Sequence, residues 1–231
     1  MRVSLVLLTR NDRADWFHTA LNACLVQVGV ELDLIVSTVK DDPSIPSTQK
    51  CGARLVVDQD PEPPCAHQAF RQLNAGLAVA RGDYMTITSG NDCLLPTKCL
   101  DEATLCTRGQ GVCYSAFYAA NENLVVYRTE VSWPYDYKRH LQGNFVTDDS
   151  MMHRRVWEKY GPYRLQWGNF CSYDLWLRVG EAEPHCFVYN PKPEWIYRYD
   201  GTSRHVSKKK DPQLLAVDAK DRAAMLASHR R

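Results

Sequence analysis

The chain has 231 residues, room for one large α/β domain or two small ones, and its 45% hydrophobic and 24% charged residues exclude disordered, collagenous and coiled-coil classes. A net charge of +1, from 28 basic and 27 acidic residues, argues against a surface built wholly for polyanions but leaves room for a local basic groove. No run approaches the ~20 apolar residues that span a bilayer, Val3–Leu8 is too short for a signal-peptide core, and the nine cysteines include no C-x-x-C pair, so a soluble cytoplasmic protein with reduced, mostly buried thiols is expected.

Val3 to Thr9 is a continuous apolar run, as a strand covered on both faces requires. A helix follows from about Ala14 to Val28 and stops at Gly29. Leu32 to Thr38 and Arg54 to Val57 are further strands. Cys65 to Ala80 has helical spacing, and Tyr84 to Thr88 is a fourth strand that enters the turn Ser89-Gly90-Asn91-Asp92. Repeated β-α-β units predict a mainly parallel sheet with helices on both faces. On such sheets ligands bind at the carboxyl ends of the strands, which singles out Thr9–Asp12, Thr38–Asp42 and Ser89–Asp92.

The second half opens with a helix over Pro96–Cys106. Strands over Val112–Ala119 and Leu124–Arg128 follow, joined by Asn121-Glu122-Asn123. Trp133–Phe145 reads as an aromatic loop, Met151–Tyr160 and Ser172–Glu181 as helices, and His185–Tyr189 and Trp195–Tyr199 as short strands. Asp211-Pro212 is a cap followed by an N1 proline, so a helix is expected over Gln213–Ser228. That helix packs on the domain in the plain reading, and touches a membrane or polyanion in the sharper one. No repeat or linker interrupts the chain, and one domain is the economical reading.

Two segments carry candidate chemistry. Ser89–Asp92 ends a buried strand in a polar turn whose oxygens can hold Mg²⁺ or Mn²⁺ against a diphosphate; the plain alternative is a turn with Asp92 as a local cap. Asp174 enters a helix beside Leu175, Trp176 and Leu177. It is either a cap and dipole partner, with Arg178 at i+4 as its pair, or a general base facing the strand ends. Trp133, Tyr135, Tyr137, Phe145, Trp167 and Phe170 are core packing in the plain reading. Asp148-Asp149 reads as a helix cap.

The order of these segments resembles family 2 of the inverting GT-A glycosyltransferases. The likeness runs from Ser4–Asn11, with its T-x-N end, through Glu31–Val36, Asn74–Leu77 and Ala80–Tyr84. It continues through Ser89–Asp92 with Pro96, Arg154–Val156 with Gly161, Tyr173–Arg178 and Tyr197–Ser203. It implies one GT-A (Rossmann-like) α/β domain over 1–231, with a mixed, mainly parallel sheet flanked by helices. Residues 1–96 would be the nucleotide-sugar half, 97–210 the acceptor half and 211–231 a C-terminal helix.

The resemblance implies transfer of a sugar from a nucleoside diphosphate sugar to a glycan or other hydroxyl-bearing acceptor, with inversion. Thr9, Asn11, Asp41 and Asp42 would meet the base and ribose, and Arg71 or Asn74 the nucleotide. Asn91 and Asp92, with His205, would hold the divalent cation, Mn²⁺ or Mg²⁺, Asp174 would take the acceptor proton, and Trp133, Tyr135, Tyr137, Phe145, Trp167 and Phe170 would form the acceptor wall. The chain departs from the family where Ser89 and Asn91 stand at metal-motif aspartates, and where Ser172 stands at an acidic position. Arg198, Arg204 or Lys208 are the cations that would compensate. A non-catalytic GT-A-like binding domain and a glycosyltransferase acting on modified nucleic-acid bases are the alternatives. The near-neutral charge does not favour nucleic acid. A nucleotidyltransferase would open with a Gly-rich loop, and Thr9–Arg13 contains no glycine.

Overall fold

The computed structural model describes residues 1–59, 66–107, 110–199 and 212–229. Its first half follows the expected β-α-β alternation: β1 (Arg2–Leu8), α1 (Ala14–Leu25), β2 (Glu31–Val39), a short α2 (Ile45–Lys50), β3 (Arg54–Asp58), α3 (Ala66–Ala78) and β4 (Tyr84–Ser89). The short α2, begun by Pro46, is not legible in the hydrophobic pattern. β1 alternates strictly: Val6 joins Ile35, Leu73 and Leu77 on one face of the sheet, while Leu5 and Leu7 join Phe17, Leu21 and Val36 on the other. Gly76 lets α3 lie against β1, because a Cβ there would come within 2.6 Å of Val6 Cγ1.

The second half adds β5 (Cys93–Leu94), α4 (Lys98–Cys106), β6 (Val112–Ala120), β7 (Val126–Glu130), α5 (Tyr137–His140), β8 (Met151–His153), α6 (Arg154–Tyr160), a 3₁₀ turn (Leu165–Phe170), α7 (Cys171–Ala182), a 3₁₀ turn (Pro184–Cys186), β9 (Phe187–Arg198) and α8 (Pro212–Ser228). The nine-stranded sheet runs β3-β2-β1-β4-β8-β6-β9-β5, with β7 paired to β6. The β1–β2, β1–β4, β2–β3 and β6–β9 pairs are parallel; β8 is antiparallel to both β4 and β6. The sheet is therefore mixed and mainly parallel, as expected.

Four local readings change. Met151 and Met152, fully buried, wedge between β4 and β6 as a strand, and the helix starts only at Arg154, where the His153 ring accepts from the Arg155 N–H. The aromatic loop contains α5, capped by the Asp136 carboxylate accepting from the Arg139 N–H at 2.7 Å. The two short strands expected near the end are one strand, β9, whose pairing to β6 slips beside Ser115–Phe117. The return strand expected at Leu124–Arg128 is β7, Val126–Glu130.

α8 packs Met225 and Leu226 against Tyr173 and Leu177 of α7, which is the plain reading of that helix. Among the described residues no helix is long and apolar enough to cross a membrane. The described cysteines are free thiols and all but Cys51 are buried.

Candidate functional site

Three loops meet at the carboxyl ends of β1, β2 and β4. The Asp42 carboxylate ties two of them, accepting from the Asn11 backbone N–H at 2.6 Å and from the Ser44 N–H at 2.8 Å. Asn11 (φ 50°) and Asp41 (φ 60°) take the left-handed conformation that Asn and Asp tolerate best among side-chain-bearing residues. The third loop crosses at Gly90, whose N–H donates to Leu8 O at 2.7 Å; a Cβ there would collide with the Asp12 carboxylate. Thr9, Thr38 and Thr88, one at the end of each strand, are buried with hydroxyls that no group among the described residues satisfies.

Beside these loops lies a cavity of about 630 Å³. Leu8, Phe70, Leu73 and Ile87 form its apolar base. Phe117 of β6 and Trp195, Tyr197 and Tyr199 of β9 and its end form an aromatic wall. Thr88, Asn91, Asp92, Thr147, Asp148 and Asp149 form the polar side.

The turn Ser89–Asp92 is fixed from 107 residues away. Arg198 donates its backbone N–H to Asp92 Oδ1 at 2.9 Å and its Nε to the Asn91 carbonyl at 2.7 Å, while its guanidinium lies 4.7 Å from the Trp16 ring centroid. Arg198 is 3% exposed, so it acts as a clamp and is not among the residues lining the cavity. Ser89 donates its hydroxyl to Asn91 Oδ1 at 2.5 Å, which occupies the amide oxygen expected to serve a metal.

The loop Thr147–Asp149 is anchored from below. The Asp149 carbonyl accepts from the fully buried Lys98 ammonium at 2.7 Å and from the Thr86 hydroxyl at 2.9 Å. Lys98 is paired with Glu102 at 2.5 Å. Burial, then the neighbouring Asp92 charge, pushes the Asp149 carboxyl well above the usual carboxylate range.

Of the residues expected in the site, Asn91 and Asp92 line the cavity, and Thr9, Asn11, Asp41 and Asp42 stand on the adjoining loops. Arg71 pairs with Asp58 at 2.9 Å. Asn74 spends its amide on the Tyr163 backbone, donating to its carbonyl at 3.0 Å and accepting from its N–H at 2.9 Å. His205, Arg204 and Lys208 lie outside the described residues.

Asp174 is placed elsewhere. It is fully buried in α7, accepts from Arg178 Nε at 3.0 Å, and lies 3.1 Å from His229 Nε2 and 3.6 Å from Arg164. It ties α7 to α8 and to the loop before the first 3₁₀ turn, the structural half of the sequence reading. Tyr135, expected in the acceptor wall, is half-buried and stacked on Phe187 at 3.8 Å, packed against the core.

The wall that does line the cavity was readable as Trp195-x-Tyr197-x-Tyr199, a period of two that puts three aromatics on one face. Asp148-Asp149 was hidden by the helix reading of Met151–Tyr160, since its meaning depends on β8 being a strand.

Among the described residues no three His, Cys, Asp or Glu side chains gather to hold a metal ion. The donor set fits a cation shared with a substrate's phosphates, the mode in which Mg²⁺ takes one or two carboxylates and keeps several waters. Asp92 is the carboxylate that the motif keeps, and its Oδ1 accepts from the Arg198 N–H.

The strand order, the antiparallel strand beside β4 and the site at the strand ends define the fold as GT-A. No family model matches the chain, and no curated protein matches it. Solved structures do. S. aureus TarS superposes with a TM-score of 0.65 at 12% identity, over 96% of this chain and 43% of that one, so the chain spans less than half of the TarS length. TarS 1–349 in complex with UDP-GlcNAc gives 0.61 and 13%, over 99% and 71%. Glucosyl-3-phosphoglycerate synthase from Mycobacterium tuberculosis, with Mn²⁺, UDP and phosphoglyceric acid, gives 0.66 and 15%, over 98% and 78%. At these identities the likeness is one of fold.

Proposed function

We propose that the chain is a glycosyltransferase that moves a sugar from a uridine diphosphate sugar to an acceptor hydroxyl, with inversion. The observation that carries this is the cavity at the ends of β1 and β4, with Asp92 and Asn91 on its rim, in a fold whose solved neighbours hold UDP, UDP-GlcNAc or UDP with Mn²⁺.

Uracil and ribose sit against Thr9, Asn11 and the Asp41–Asp42 loop, where the Thr9 and Thr38 hydroxyls have no partner among the described residues. The diphosphate reaches Asn91 and Asp92. Asp92, with the diphosphate, would hold a divalent cation, which would supply positive charge against the negative charge that builds on departing UDP.

The acceptor oxygen bonds to the anomeric carbon as the bond from that carbon to the phosphate oxygen breaks, and the electron pair leaves with UDP. The acceptor proton passes to a carboxylate. We assign it to Asp148, exposed on the cavity side, in place of Asp174, whose carboxylate is enclosed by Arg178, Arg164 and His229. A positioned base of this kind contributes typically ~10²–10⁴-fold.

The first test is thermal stability with UDP, UDP-glucose and UDP-GlcNAc, with and without Mn²⁺. A ligand at ~100 times its Kd stabilises by about 2.7 kcal/mol. Stabilisation that Mn²⁺ strengthens, and that Asp92→Asn makes metal-independent, is the expected result. No stabilisation by any uridine nucleotide would sink the donor site. Binding without UDP release from UDP-sugars would instead favour a non-catalytic module, the reading that Ser89 and Asn91 at metal-motif positions support.

A further inference from the structure

The cavity's aromatic wall does not stop at the cavity. Phe117 and Trp195 stack with centroids 4.5 Å apart and planes at 24°. Tyr197 stands edge-on to both, at 6.2 and 6.0 Å. Tyr199 follows 4.6 Å from Tyr197, and Tyr127 lies 6.2 Å from Tyr199. Five rings therefore run from the interior of the site to β7, where Tyr127 is 57% exposed.

The run has a simple cause. Trp195, Tyr197 and Tyr199 share one face of a strand by period two, and Phe117 and Tyr127 come from the neighbouring β6 and β7. The line is anchored in the core by Trp195, with Phe117 and Tyr197 packed against the same cluster, and it runs out to the exposed Tyr127. It suits a ligand whose rings carry apolar faces and repeat along a chain.

The polar side of the cavity narrows the choice. Asp92, Asp148 and Asp149 contribute carboxyl groups, and Asn91, Thr88 and Thr147 contribute amide and hydroxyl groups. Sugar hydroxyls both donate and accept, and match this set, while the C–H faces of a pyranose match the rings opposite. A phosphate or carboxylate on the acceptor would be set against Asp148 and against the donor's own diphosphate at Asn91 and Asp92. A polynucleotide stacks equally well on aromatic rings, but its phosphates would meet the same acidic side.

We propose that the acceptor is a neutral oligosaccharide of two or more units, its terminal ring in the cavity and its next units laid along Tyr197, Tyr199 and Tyr127. The assignment of this ligand as acceptor rests on the glycosyltransferase reading; the saccharide track itself does not. It sets this chain apart from the neighbour solved with phosphoglyceric acid, an anionic molecule.

The test is binding by isothermal titration, with UDP and Mn²⁺ present and again without them. The probes are glucose, malto-, cello- and chito-oligosaccharides of two to four units, 3-phosphoglycerate and a dT₄ oligonucleotide. Affinity for at least one neutral series is expected to rise from one unit to three. Tyr127→Ala, on an exposed strand, should weaken the trisaccharide roughly 3- to 10-fold while leaving UDP binding and the weak monosaccharide binding unchanged. Tyr199→Phe keeps the ring and should bind like the native chain.

Failure of every neutral series, equal affinity for one and three units, no effect of Tyr127→Ala, or tighter binding of 3-phosphoglycerate or dT₄ would each overturn the proposal. UDP binding in the same titrations separates that failure from failure of the glycosyltransferase reading. Saccharide binding without UDP binding would sink the donor site and leave the track.

Discussion

The two ends of the same parallel strands treat their polar groups in opposite ways. At the amino end, Ser4 of β1 donates its hydroxyl to Asp33 of β2 at 2.6 Å, and Asp33 also accepts from Arg54 at 2.9 and 2.7 Å and from the Arg81 N–H at 2.9 Å. The Gly82 N–H donates to the Ser4 hydroxyl at 2.7 Å, so four segments are stitched by one buried cluster. At the carboxyl end, the hydroxyls of Thr9, Thr38 and Thr88 are buried with no partner among the described residues. Buried polar groups left unpaired are rare, and each lacks the ~0.5–1.5 kcal/mol of a typical hydrogen bond. The amino end is where the sheet is held together; the carboxyl end is where hydrogen-bonding capacity is left over for a ligand.

The largest expected effect breaks the satisfied end. Asp33→Ala removes the acceptor of Arg54 Nε and Nη2 and of the Ser4 hydroxyl, leaving Arg54 only the Val79 carbonyl and the Arg81 N–H only the Ser4 hydroxyl, and should lower stability by about 3 kcal/mol in urea denaturation. Burial works to raise the Asp33 carboxyl, but hydrogen bonds from Ser4, Arg54 and Arg81 outweigh it and hold Asp33 below its ordinary value. Its contribution is therefore present above the unfolded carboxylate range and is lost as pH falls through the folded value. A variant as stable as the native chain would remove the distinction between the two ends.

A second experiment uses a carboxyl of the opposite kind. Glu194 in β9 is fully buried with Oε2 unpaired, and burial raises it from 4.5 to about 7, with Lys192 opposing and Asp101 and Glu102 adding. Here the native state holds a proton that the unfolded chain has already lost. The stabilising contribution is full below about 4.5 and fades as pH rises through 7. Glu194→Gln should flatten that slope, gaining roughly 1–3 kcal/mol on the native chain between pH 5 and 8. Parallel pH profiles for the two proteins would refute the assignment.

The smallest stability effect belongs to the carboxyl end. Thr38→Val and Thr88→Val replace unpaired hydroxyls by methyl groups of the same shape and should leave stability within about 1 kcal/mol of native, or raise it slightly. Thr38→Val should nonetheless weaken UDP in calorimetry by several-fold. Losses of stability as large as that of Asp33→Ala would show that these hydroxyls serve the fold.

The same contrast accounts for which parts of the molecule are legible from residue order. Val3–Thr9, Leu32–Thr38 and Tyr84–Thr88 read as strands because they are short, mostly apolar runs bounded by polar turns, and the last of them places Asn91 and Asp92 just past a strand end. Met151–His153 reads as helix and forms a strand, because the slot between β4 and β6 outweighs the local spacing. Asp174 has the composition of a base and the surroundings of an anchor, since Arg164 and His229 approach it from 10 and 55 residues away.

Local periodicity and the polar turns that interrupt it are short-range properties, so residue order by itself determines the β-α-β frame, the parallel sheet and the edge on which ligands bind. The clamp of Arg198 on Asn91, the anchoring of Asp149 by Lys98 and the alignment of Phe117, Trp195, Tyr197, Tyr199 and Tyr127 join residues far apart in the chain. Only tertiary structure decides these. They depend on which strands pair and in what register, and a shift of one residue would turn every one of those rings to the other face of the sheet.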